Sequence, residues 1–128
     1  MTIPTPPDPT AAEHAKQLPH SIVTYLREAD PAHRANAHDL LSAFTPDAVV
    51  VDAEKTYTGH DEIHRWRETA ATEYTYTVEL THVEKLDETH YVTTNHLEGN
   101  FPGGVVDLLY RFTLDPETNL ISHLEIAP

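Results

Sequence analysis

Cysteine is absent from these 128 residues. Its absence excludes disulfide staples, iron–sulfur ligation and a thiol nucleophile, and fits a reducing, cytoplasmic setting. Positive charge is scarce: 8 Lys and Arg stand against 21 Asp and Glu, a formal net charge of −13. Phosphate-backbone binding draws on a basic footprint, so nucleic acid is not an expected partner. Glycine numbers only 4, and neither a phosphate-cradling glycine loop nor an internal repeat is found. No stretch nears the ~20 consecutive apolar residues of a membrane span. The opening MTIPTPPDPTAAEHAKQ (1–17) has neither a basic start nor an apolar centre, and reads as a flexible proline-rich tail, not a targeting segment or anchor. The expectation is a soluble cytoplasmic protein with one domain over 18–128, large enough to bury roughly two-thirds of its unfolded surface unaided.

What is present runs helices first and strands second. Ile22, Tyr25, Leu26 and Ala29 recur at helical spacing between Leu18-Pro19 and Asp30-Pro31, where proline starts one helix and ends it. A second helix follows the polar stretch from His33 to Asp39, with Leu40, Leu41 and Phe44 as its apolar positions, and Thr45-Pro46 closes it. A third begins after Gly59, burying Ile63, Trp66 and Ala70, with Asp61 and Glu62 in its first turn, where acidic groups complement the helix dipole. From Tyr74 the period changes to alternation over 74–81, 91–97, 105–114 and 120–126, with turn residues at 85–89, 99–104 and 115–119. Segregated elements of this kind predict an α+β fold, a curved antiparallel sheet wrapped around three N-terminal helices.

The run Phe44-Thr45-Pro46-Asp47-Ala48-Val49-Val50-Val51-Asp52 places a carboxylate at the end of an apolar strand. Desolvation there suits a general base, and the same placement suits a simple strand-end turn. Along 105–114, Val106, Leu108, Tyr110 and Phe112 share one apolar face, while Asp107, Leu109 and Arg111 share the other. His60 and His64 stand four apart on one helical face, yet local spacing offers no third ligand and no glutamate occupies the zincin position between them. No metal is expected. His14, His20, His33 and His38 lie in polar segments and read as solvated.

The run FTPDAVVVD, the segment from Gly59 to Ile63, and the ending from Tyr110-Arg111-Phe112 to Leu120-Ile121-Ser122-His123 together resemble the nuclear transport factor 2-like superfamily, in particular its SnoaL-like branch. The similarity covers roughly 18–126. It implies a bent sheet around helices, a cone-shaped, cystatin-like α+β barrel open at one end to a hydrophobic small-molecule pocket, and a homodimer through the sheet. Ketosteroid isomerase is the mechanistic template within the superfamily, and a general reference case for tuned carboxylates. By that resemblance Asp52 takes the place of the proton-shuttling aspartate and Tyr25 that of the oxyanion tyrosine. The neutral acid of the template falls on Leu108, one residue from Asp107, and a one-residue offset in a strand reverses the face. Strand parity set on the same anchor turns His123 and Glu125 inward, and His123 matches a histidine of SnoaL-like endings. The resemblance thus names Asp52, Tyr25 and His123 as catalytic, and Trp66, Tyr91, Asn95, Val106, Leu108, Tyr110 and Phe112 as ligand contacts. It implies a cofactor-independent isomerase, cyclase or dehydratase, or else a non-catalytic ligand-binding or dimeric interaction module on the same fold.

Overall fold

The computed structural model describes residues 18–29 and 40–128, the side chains of 29 and 70–73 excepted. The first helix, α1 (His20–Ala29), begins at Pro19, whose carbonyl accepts from the Ile22 and Val23 amides at 3.1 Å each. It buries Ile22 and Tyr25. Truncating a residue such as Ile22 to alanine costs about 2–5 kcal/mol in a packed core. Ser21 Oγ donates to the Asn119 carbonyl at 2.6 Å, tying this helix to the last turn of the sheet.

Strand β1 (Phe44–Asp52) already contains Thr45-Pro46-Asp47, which the sequence reading assigned to the close of a helix. The structure accommodates the proline by an irregularity: the register against the neighbouring strand shifts between Phe44 and Val49, and Pro46 and Asp47 are exposed. Proline has no amide to give a ladder, so it belongs at such a bulge. Past it, Ala48 and Val50 are fully buried, and period two puts Asp52 on their face. A two-residue turn leads to β2 (Lys55–Thr58), a short strand that the sequence reading did not anticipate. Helix α2 (Gly59–Glu73) follows, with Gly59 at φ +83°, a left-handed conformation that suits glycine. Glu62 Oε1 accepts from the Thr58 amide at 2.8 Å, satisfying a backbone donor at the start of the helix.

The remaining strands are β3 (Tyr76–Lys85), β4 (His90–Gly99), β5 (Val105–Leu114) and β6 (Ile121–Ala127), close to the expected spans. They form one sheet in the order β2-β1-β6-β5-β4-β3. The expected sheet needs correction. The sheet is mixed, because β1 and β6 run parallel while every other pair is antiparallel, and it is open, not closed. The described residues hold two full helices; of the second expected helix Leu40 and Leu41 are helical and Phe44 is a strand residue, and 30–39 ahead of it lie outside the described set. The expected tail at 1–17 likewise lies outside. Among the described residues no helix is long and apolar enough to cross a membrane.

One face of the sheet carries the apolar positions. Tyr91, Thr93, Asn95 and Leu97 of β4 pair in register with Phe112, Tyr110, Leu108 and Val106 of β5. Tyr25 of α1 lies on this face, meeting Phe44, Phe112 and Tyr110 edge-on at ring separations of 5.7, 5.7 and 6.2 Å. Helix α2 packs on β1 and β2. The tight core lies around Tyr25, Phe44 and Phe112, and the opposite end of this face is where packing opens.

Candidate functional site

At that end a cavity of about 270 Å³ lies between α2 and the sheet. Asp52 ends β1, and Ile126 is its parallel partner on β6. Val106, Leu108 and Tyr110 come from β5, Leu97 from β4 and Tyr76 from β3. Trp66 and Arg67 come from α2, Tyr25 from α1, and Tyr74 and Phe101, ring against ring at 6.2 Å, from the flanking segments. Gly99 lies opposite Tyr76, and a Cβ there would collide with Thr75 and Tyr76. Its bareness lets β3 close up and brings Tyr76 to the cavity.

The polar groups are few in a mostly apolar box, the usual build of a small-molecule pocket. The Trp66 Nε1–H donates to Asp52 Oδ2 at 2.9 Å, fixing the half-buried carboxylate against the cavity wall. Tyr25 is 1% exposed, and burial first of all pushes its phenol well above the ordinary tyrosine range, although Arg67 pulls the other way. It remains a protonated hydrogen-bond donor at neutral pH. Burial disfavours the Arg67 guanidinium charge, but the phenols of Tyr25 and Tyr76 outweigh it and raise the group above its ordinary value. Arg67 hydrogen-bonds with Tyr76. A second cleft of about 300 Å³ adjoins the first across Asp52 and Trp66, with Lys55, Tyr57 and Arg65 on its walls. The Tyr57 ring is 6.0 Å from that of Trp66. The arrangement brings a carboxylate, phenolic donors and a permanent cation around an apolar space.

The fold has many solved counterparts. A candidate polyketide cyclase from Sinorhizobium meliloti superposes with a TM-score of 0.78 at 28% identity, over 88% of this chain and 98% of that one. A protein of ketosteroid isomerase-like fold from Catenulispora acidiphila, in complex with trimethylamine, gives 0.72 at 16% identity over 86% and 85%. These neighbours match the SnoaL-like branch of the nuclear transport factor 2-like superfamily, which the chain resembles in fold. A Mycobacterium tuberculosis protein in complex with estradiol-17β-hemisuccinate gives a TM-score of 0.66 at 15% identity, over 93% of this chain and 94% of that one. No protein-family model and no curated protein sequence matches the chain.

Within this SnoaL-like fold the residues singled out from sequence divide into three groups. Asp52, Tyr25, Trp66, Val106, Leu108 and Tyr110 meet at the cavity. Tyr91, Asn95 and Phe112 share the inner face but are absent from its wall. Asn95 is fully buried beneath the cavity, donating to Thr93 Oγ1 at 2.9 Å while its Oδ1 has no partner among the described residues. His123 is on the other face. It is exposed, whereas Ile121, Leu124 and Ile126 are buried, so the inward placement of His123 and Glu125 is corrected. The cause is a register shift in β6: Ile121 pairs with Leu114 and His123 with Thr113, so Ser122 is an extra residue that reverses the parity. Asp107 also faces outward, its carboxylate accepting from His96 Nδ1 at 2.6 Å. His60 and His64 take separate partners, the Phe44 carbonyl at 3.2 Å and Glu68 at 3.0 Å.

Arg67, Tyr74, Tyr76, Leu97, Phe101 and Ile126 are cavity residues that the sequence reading missed. For Arg67 a signal existed. It stands four residues after Ile63, on the apolar face of α2 already inferred from Ile63 and Trp66. Tyr76, Leu97 and Ile126 continue the inward alternation of their strands. Tyr74 and Phe101 lie outside regular elements, where periodicity gives no cue.

Proposed function

We propose that this chain is a small-molecule pocket protein of the SnoaL-like type, working as a cofactor-independent isomerase, cyclase or dehydratase on a hydrophobic carbonyl compound. The reading is carried by the Asp52 carboxylate, held through Oδ2 by the Trp66 indole at 2.9 Å at the wall of a cavity shared with Tyr25. Asp52 takes a proton from the carbon beside the carbonyl. The C–H electron pair moves into an enolate, and the Tyr25 hydroxyl donates to the oxygen where charge develops. Asp52 then returns the proton at the far carbon of a conjugated dienolate, or the enolate attacks a second carbonyl carbon, closing a ring, and Asp52 gives the proton to the alkoxide so formed. Structural neighbours hold trimethylamine and an estradiol ester, which supports occupancy of such pockets by small molecules.

Leu108 at the cavity and the outward-facing Asp107 favour a second reading, in which the pocket binds without catalysing. Loss of one oxyanion donor costs about 10²–10³ in rate, so a strict ketosteroid isomerase is not the expectation. Hydrogen–deuterium exchange at the α-carbons of 2-tetralone, followed by NMR, separates the two. Wild type is expected to accelerate exchange and Asp52→Asn to lose about 10²–10⁴ of that acceleration. Equal exchange with wild type, Asp52→Asn and buffer rejects proton transfer and leaves the binding module. We further propose a homodimer through the outer face of the sheet, as in the resemblance above.

A further inference from the structure

We propose that the ligand of this cavity is an organic anion: a compact apolar body with one carboxylate received by Arg67 at the β3 side and its reactive end at Asp52. This rests on the reading of the cavity as a ligand pocket, and does not need Asp52 to transfer a proton. Three observations carry it. Arg67 belongs to the cavity wall and hydrogen-bonds Tyr76. Its planar fork is a permanent cation matched to carboxylate geometry, and Tyr76 and Tyr25 add phenolic donors beside it. Next, the Arg67 guanidinium also stands 5.1 Å from the centre of the Trp66 ring, whose indole N–H holds Asp52 at 2.9 Å. An anion at Arg67 is therefore received close to Asp52, and the cation offsets the like charge of that carboxylate.

The distribution of charge over the whole chain is the third observation. Of 8 Lys and Arg in a chain of net charge −13, Lys55 and Arg65 border the outer cleft and Arg67 the inner cavity, on either side of the Asp52–Trp66 pair. A net charge of −13 disfavours anions over the molecule as a whole. A basic rim at one cleft gives an anion its route of approach. The size fits as well, since about 270 Å³ lies just under the ~300–1,000 Å³ of sites for drug-sized ligands.

Trp66 is the only tryptophan of the chain, so its fluorescence reports occupancy. Adamantane-1-carboxylate and adamantane-1-carboxamide share body and size, absorb little where Trp66 does, and have no proton for Asp52 to remove. Wild type is expected to bind the acid at least about tenfold tighter than the amide, the ratio of one charge-assisted hydrogen bond. Arg67→Gln should abolish the preference, and Arg67→Lys should keep part of it. The acid's affinity should also fall as salt rises from about 0.05 to 0.5 M while the amide's does not, a readout independent of any variant. Equal binding of acid and amide overturns the anion inference and leaves the pocket standing. No binding of the acid at millimolar concentration overturns it too, while the 2-tetralone exchange assay judges proton transfer separately.

Discussion

At the scale of single residues, the site turns on how one carboxylate is oriented. Asp52 sits at a strand end beside the left-handed turn residues Ala53 and Glu54, and its fixed contact is the indole N–H of Trp66 at 2.9 Å. Trp66→Phe keeps a ring against Tyr57 but removes that donor. Because Asp52 is half-buried, water can replace part of the bond, so the stability cost should be small, about 1 kcal/mol. Exchange of 2-tetralone should fall by about tenfold or more, while calorimetric affinity for adamantane-1-carboxylate changes little, since Arg67 holds the acid. An unchanged exchange rate would mean that the indole does not position the base. Asp52 was legible from sequence because three valines and strict alternation fix the face of a strand's last residue. His123 was not, because a single extra residue at Ser122 inverts everything beyond it, and nothing in the local sequence ISHLE announces such a bulge.

At the scale of elements, long periodic segments were readable and short or non-local features were not. α1, α2 and the four C-terminal strands follow from apolar spacing over ten or so residues. β2 is four residues, Lys55–Thr58, with no apolar alternation, and it forms because the β1 turn folds it back. The parallel pairing of β1 with β6 joins segments at the two ends of the described chain. Pairing of that kind depends on the topology of the whole sheet, so no window of sequence contains it. The β1–β2 turn itself yields a prediction. Ala53 and Glu54 have φ of 52° and 68° between the paired residues Asp52 and Lys55, the pattern of a type I′ turn that favours Asn-Gly. Left-handed backbone costs an ordinary L-residue about 1–2 kcal/mol, so Ala53→Asn with Glu54→Gly should stabilise the fold by about that much, seen as a higher Tm. A Tm that does not rise would mean the strain is already relieved within the hairpin. If the exchange rate falls as stability rises, the strained turn serves to aim Asp52.

At the scale of the whole molecule, charge and the outer sheet face bear on the proposed dimer. The face opposite the cavity carries Leu109 and an exposed Val105 among many charged groups. His96 stands there between two carboxylates, its Nδ1 2.6 Å from Asp107 Oδ1 and its Nε2 2.7 Å from Glu98 Oε2. Asp107 first, and then Glu98, raise the His96 imidazole above its ordinary value. Its contribution to stability is therefore fully present below the unfolded value of 6.5 and is lost as pH rises through the higher folded value. The same titration adds negative charge to the outer face as pH rises. Two protomers of net charge −13 repel each other across a Debye length of about 30 Å at 0.01 M salt, but of only about 8 Å at 0.15 M. If the sheet face is the dimer interface, sedimentation at micromolar concentration should give more dimer at 0.15 M than at 0.01 M salt, and more at pH 6 than at pH 9. Replacing Val105, 56% exposed, by glutamate should shift the protein to monomer at every salt concentration without altering ligand binding in the cavity, whose wall excludes it. A monomer under all these conditions would leave the outer face as plain solvent surface, and the cavity, complete within one chain, would function alone.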